Sequence, residues 1–145
     1  MSQATTATTT AQAAALTITR QFVNFACFKL DPAFRRLPDL EKEQARALFA
    51  ALFAEPRQGL LCLTYSTVGL RPDVDFVLWR ISTGPDEFQA QTQAINHSRL
   101  GGFLTTPHSF VSMTKRSMYI DKVDPFHTAE SRTHIVPGKR KYLFI

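Results

Sequence analysis

Residues 64–80, TYSTVGLRPDVDFVLWR, place the tightest constraint on how this chain folds. Two runs rich in Tyr, Val, Phe and Trp flank Gly69, Pro72 and Asp73, the pattern of a β-hairpin. A surface hairpin alternates apolar and polar residues, one face toward the core and one toward water. Here both faces are apolar, because Val74, Phe76 and Leu78 share one side while Val77, Trp79 and Ile81 share the other. A sheet built on this hairpin needs a cover on each face. The expectation is that the Trp79 row packs on helices and that the row of Phe76 and Leu78 is left bare.

The elements around the hairpin define the sheet. Residues 1–15 are Ala, Thr, Gln and Ser after the initial Met, a composition that buries too little apolar surface to offset the entropy of ordering, and they read as a disordered tail. A strand in TITRQFVNFACFKL is again apolar on both sides and stops at Asp31 and Pro32. A helix over 39–54 follows, with Leu40, Gln44, Leu48, Ala51 and Leu52 as its inner stripe, ended by Pro56 and Gly59. After the strand LLCLTYST and the hairpin, a second helix starts at STGPDEF, capped by Thr83 or Gly84, and runs to Ser98 with Phe88, Thr92 and Ile95 inward. HSFVSMTKRSMYI reads as the last strand. The order β-α-β-β-α-β is that of an α+β, ferredoxin-like unit with an antiparallel sheet, assigned to residues 16–121. In that unit both helices cover one face, so the other exposes more apolar area than a monomer tolerates. A second sheet must pack there, from a second copy as in a dimeric α/β barrel or from a second unit in a longer protein. Residues 122–138 read as a linker, and KRKYLFI, 139–145, as the opening strand of a second, truncated unit.

Composition narrows the function classes. The chain has 145 residues, 44% of them hydrophobic, enough for a single core. No apolar run is long enough to cross a bilayer, and MSQATTATTTAQAAA lacks the basic start and apolar stretch of a secretory signal, so a cytoplasmic protein without membrane partners is expected. Cys27 and Cys62 sit in apolar strand patterns as buried thiols, with no CxxC spacing. Nine Lys or Arg balance nine Asp or Glu in residues 1–98, while eight against three in 99–145 carry the whole net charge of +5. A basic end attracts anions, and KRK with Phe126 and Tyr142 nearby offers the elements of a nucleic-acid patch, but a few linker charges are weak evidence for one and no nucleic-acid partner is expected.

Four stretches carry a family resemblance: FACFKLDPAFRRLP at 25–38, TYSTVGLRPDVDFVLWR, SRLGGFLTTPHSFVSMTKRSMYI at 98–120, and the terminal KRKYLFI. Together they resemble the N-terminal half of the chlorite dismutase family, which includes coproheme decarboxylases. The resemblance implies two ferredoxin-like units per chain with their sheets packed together, assembled as pentamers or dimers. It also implies a haem-dependent oxidoreductase that holds haem b or coproheme in the second unit, whose first helix carries the proximal His. In this chain the helix over 39–54 has no His and LLCLTYST has no Arg, so this half is expected to lack the haem-iron ligand, with no catalytic or metal-ligating residue of its own. The family's TK-x-x-x-YI segment brings a Tyr and the following backbone to a haem propionate. Here that segment is Thr114 to Ile120, which makes Tyr119, Ile120 and Lys115 the candidate cofactor-binding residues. A phenol donating to a propionate beside Lys115, Arg116 and Lys122 is sound chemistry for an anion.

Other constellations do not build a site. His97, His108, His127 and His134 show no metal-ligand spacing, and His97 near the end of the second helix suits the helix dipole. Asp73 and Asp75 read as a turn-former and an edge carboxylate, and Ser66 and Ser109 lack a nucleophile elbow. The alternative reading is a complete small dimeric α/β-barrel module without haem chemistry.

Overall fold

A computed structural model describes residues 20–115 and residue 135. The tail, the linker other than Ile135, and residues 139–145 lie outside the described residues. Four strands and two helices follow in the order β1 (Phe22–Leu30), α1 (Asp39–Ala51), β2 (Leu60–Ser66), β3 (Phe76–Ser82), α2 (Asp86–His97) and β4 (Leu104–Met113). All pairings are antiparallel and the strand order is β2-β3-β1-β4, the arrangement of a ferredoxin-like α+β unit. β1 ends where Asp31 turns the chain, its carboxylate accepting from the Ala33 N–H at 2.7 Å to cap a short 3-10 turn. β4 begins earlier than the sequence pattern suggests and contains Pro107. One extra residue stands on β4 between the pairs Cys27 with His108 and Lys29 with Thr105, and this bulge on an edge strand tolerates a residue that cannot donate to the ladder.

The two faces of the hairpin are exchanged relative to expectation. Phe76 and Leu78 face the helices: Leu78 pairs with Ala26, Phe76 stacks on Phe28 at 5.0 Å, and Ile95 of α2 with Phe49, Leu52 and Phe53 closes this core. Trp79 stands on the opposite face against Phe25. The cause is Arg80, which shares the Phe76 and Leu78 side and is only 4% exposed. Its Nε and Nη2 donate to Asn24 Oδ1, and its Nη1 donates to the Phe88 carbonyl, Gln91 Oε1 and Thr92 Oγ1. Burial pushes the guanidinium pKa down, yet four oxygens, none a carboxylate, satisfy it beneath α2. This network is available only if the even-numbered side chains of β1 and β3 point at the helices.

α1 is also rotated from its expected setting. Leu40 and Leu48 are 66% and 64% exposed, whereas Ala45 is buried and Phe49 packs into the cores on either side of it. Two apolar stripes run along this helix, and the aromatic one wins because Phe34, Phe103 and Leu100 offer it a socket. On α2 the buried residues are Phe88, Gln91 and Ile95; no side chain caps its start at Thr83 or Gly84, the first helical bonds being accepted by the Pro85 carbonyl. Past α2 the chain turns so closely that a Cβ on Gly101 would lie 1.8 Å from the Ile95 carbonyl oxygen, which only glycine permits.

Ile95→Ala removes a fully buried side chain and should cost about 2–5 kcal/mol in urea unfolding. Leu48→Ala should stay within about 0.5 kcal/mol of wild type, the reverse of what the sequence stripe implies.

Candidate functional site

The face away from the helices is built of three rungs that cross all four strands. Leu61, Ile81, Val23 and Ser112 form the first; Leu63, Trp79, Phe25 and Phe110 the second; Tyr65, Val77, Cys27 and His108 the third. Nine of these twelve side chains are apolar or aromatic, counting Tyr65 and Trp79 and leaving out Cys27, Ser112 and His108. The row is most open at its edges, Phe110 being 61% exposed on β4, and is buried along the middle of β1 and β3 at Val23, Val77 and Ile81. Phe25 and Trp79 stack with ring centroids 5.8 Å apart at the centre. Burial pushes both thiols up, and Cys27 and Cys62 lie on opposite faces, so they cannot bridge within one chain.

At one end the face becomes polar. Asp73, in the hairpin loop, accepts from Arg71 through two bonds of 2.9 and 2.7 Å and from His108 Nε2 at 3.0 Å. The Arg71 guanidinium first and the imidazole second hold the Asp73 carboxyl well below the usual carboxylate range. Asp75 is tied elsewhere: Leu30 N–H and Lys29 Nζ donate to its two oxygens, and the backbone bond above all lowers its pKa. The two aspartates thus anchor separate ends of the loop and do not form an acid/base pair. Gly69, at φ +81°, lets the loop fold back so that Leu70 N–H reaches the Thr67 carbonyl at 2.9 Å.

Of the residues the family pattern points to, Lys115 is described and Tyr119 and Ile120 lie outside the described residues. Lys115 is exposed, two positions past the end of β4. Thr114 before it is fixed to the start of β1, donating its N–H to the Gln21 carbonyl at 2.8 Å and accepting from Gln21 N–H at 2.9 Å. The side chain of Gln21, on the rung face, accepts from the backbone N–H of Ile135. An ammonium presented from a pinned strand end fits an anionic carboxylate. Among the described residues no cluster of three His, Cys, Asp or Glu could hold a metal ion. His97 borders a shallow groove along α2 beside Phe88 and Thr92 and does not join the rung face. Among the described residues no helix is long and apolar enough to cross a membrane.

Sequence reasoning missed the contact of Asp73 with His108 and the exchange of faces. The first joins residues 35 apart in sequence through the β1–β4 register, which no local pattern displays.

A family model described as chlorite dismutase matches residues 42–145. Among solved structures, chlorite dismutase from Candidatus Nitrospira defluvii in complex with imidazole is 22% identical with a TM-score of 0.65, the match covering 70% of this chain and 43% of that one. A mutant of the same enzyme gives 0.66 at the same identity and coverage. A heme-binding protein from Thermus thermophilus is 19% identical with a TM-score of 0.58, covering 65% of this chain and 40% of that one. This chain therefore spans less than half of the solved chains it matches, and the likeness is one of fold.

Asp73→Asn tests the polar end. A carboxylate whose folded pKa is depressed contributes stability above its unfolded pKa near 3.9 and loses it as pH falls toward the folded value. The stability gap between wild type and Asp73→Asn should therefore be full at pH 5 and shrink steadily toward pH 2 in urea titrations.

Proposed function

This chain belongs to the chlorite dismutase family, and from that premise we propose that it is the N-terminal ferredoxin-like unit of a cytoplasmic haem-dependent oxidoreductase. The observation that supports the reading is the three-rung apolar face, open at Leu61 and Phe110, which the family's paired units would cover. In this reading the unit supplies a sheet, a subunit surface for a pentamer or dimer, and an anchor for a haem propionate.

The anchor is Lys115 with Tyr119 and the backbone at Ile120. Lys115 places a positive charge beside the propionate, the Tyr119 hydroxyl donates to it, and the bonds between Gln21 and Thr114 hold the strand end from which Lys115 extends. When bound, haem b or coproheme supplies the iron that activates chlorite, or a peroxide in the oxidative decarboxylation of propionates. Of the described histidines, His108 bonds Asp73 and His97 ends α2. The iron ligand is accordingly proposed to belong to the second unit.

Titration of the 145-residue chain with haem and with coproheme, followed in the Soret region, should give no histidine-ligated spectrum. In a polypeptide extended through the second unit, Lys115→Ala should weaken coproheme binding about 2- to 5-fold, the effect of one exposed ion pair. A histidine-ligated band from the 145-residue chain alone overturns the assignment of the iron ligand. A clean dimer indifferent to both cofactors would favour a small dimeric α/β-barrel module.

A further inference from the structure

The rotation of α1 leaves its second apolar row in the open. Leu40 and Leu48 are 66% and 64% exposed, and Gln44, Ala47 and Ala51 beside them are exposed as well. Because Phe49 and Phe53 take the side of the helix that packs on the sheet, this row points away from the sheet, opposite the rung face. A single exposed leucine is ordinary. Here Leu40, Gln44, Ala47 and Ala51 recur at the alternating four- and three-residue steps of a helix-pairing seam.

Two properties of the row determine what fits it. It combines a knob with a hole: Leu40 projects at one end, and Gln44, Ala47, Leu48 and Ala51, at steps i, i+3, i+4 and i+7, frame a space that the two alanines leave open. It also reads the same from both ends, Leu40 and Leu48 lying four residues either side of Gln44. A second α1 laid antiparallel therefore sets each Leu40 into the hole of the other copy, beside its Leu48. The two Gln44 amides then meet, each donating to the other's side-chain oxygen. The flanking acids do not oppose this pairing: Glu41 is paired with Arg99 at 3.3 Å, and exposed Glu43 stands about 100° round the helix from Gln44, toward water.

We propose that the outer row of α1 is a two-fold, self-complementary contact between two copies of this chain, with Gln44 at the axis. It is independent of whatever covers the rung face, which lies on the other side of the sheet. The stripe is about 20 Å long and one helix wide, and so buries less than the roughly 800 Å² per partner of a standard stable interface. Association is accordingly weak and concentration-dependent. Gln44 fixes the register, because a slip of one turn sets its amide against leucine instead of against the other amide.

Sedimentation equilibrium of the 145-residue chain from micromolar to millimolar concentration tests the contact. The chain carries Phe110→Glu throughout, a change at a side chain 61% exposed on the rung face, so that association through that face does not enter the reading. A reversible monomer–dimer equilibrium should remain. Adding Leu40→Glu or Leu48→Glu should weaken it at least about 10-fold. Far-UV circular dichroism and the urea midpoint of dilute samples should not change, because both leucines are exposed. Direction is read from Leu40→Glu combined with Leu48→Lys. In the antiparallel pair the acid of each copy meets the base of the other, so association should be about 3- to 10-fold stronger than with Leu40→Glu and Leu48→Glu together. A chain that stays monomeric at millimolar concentration overturns the proposal, as does a dimer that neither Leu40→Glu nor Leu48→Glu weakens. Equal association of the two double variants overturns the antiparallel two-fold.

Discussion

The two central strands, β1 and β3, are flanked by hydrogen-bonded neighbours on both sides, and their side chains leave the sheet alternately up and down. Both of their alternating rows are apolar, and neither row can be turned to water by shifting the register, because a one-residue slip only exchanges one apolar row for the other. The helices can cover one row. The second row is therefore a structural demand that this unit creates and does not meet with its helices. The edge strands agree: β2 and β4 carry Leu61, Leu63, Phe110 and, at the polar end, Tyr65 and His108 on that same side.

What decides which row the helices take is a polar network, since hydrophobicity hardly separates the two. Arg80 costs a great deal to desolvate and is tolerated because Asn24, Gln91, Thr92 and the Phe88 carbonyl surround it. Three of these partners are on α2, so the network also fixes that helix over β1 and β3. Phe88 stacks under the guanidinium at 5.4 Å, and Thr92 donates onward to the Phe88 carbonyl at 2.7 Å. Breaking any part strands a buried cation, so the network permits a single packing where apolar contacts alone would allow two.

The sequence shows the strands, the helices, their order and the two-faced hairpin, because each rests on local periodicity and on turn residues such as Asp31, Gly69 and Gly101. It does not show which face is which. Arg80 on a strand looks like a residue for water, and only the fold shows that Asn24, 56 positions away, meets it. Leu40 and Leu48 look like the inner stripe of α1, yet Phe49 fills the socket that Phe34 and Leu100 form from distant segments. The bond between Gln21 and Thr114, which spans 93 residues and fixes the strand end just before Lys115, shows in no local pattern.

The ionisable groups of the unit point to its role. Asp73 is held by Arg71 and His108, Asp75 by Leu30 N–H and Lys29, Asp39 by Lys42 and Glu41 by Arg99. General acid/base work needs a carboxyl pushed up toward neutral pH, and each shift resolved for these aspartates runs downward. Both thiols are pushed up, away from the thiolate that a nucleophile requires. These ion pairs and hydrogen bonds hold the shape of the described unit. Among the described residues, one face of the sheet is thus closed by its own helices, the other is apolar and most open at its edge, and the strand end beyond β4 carries the exposed Lys115.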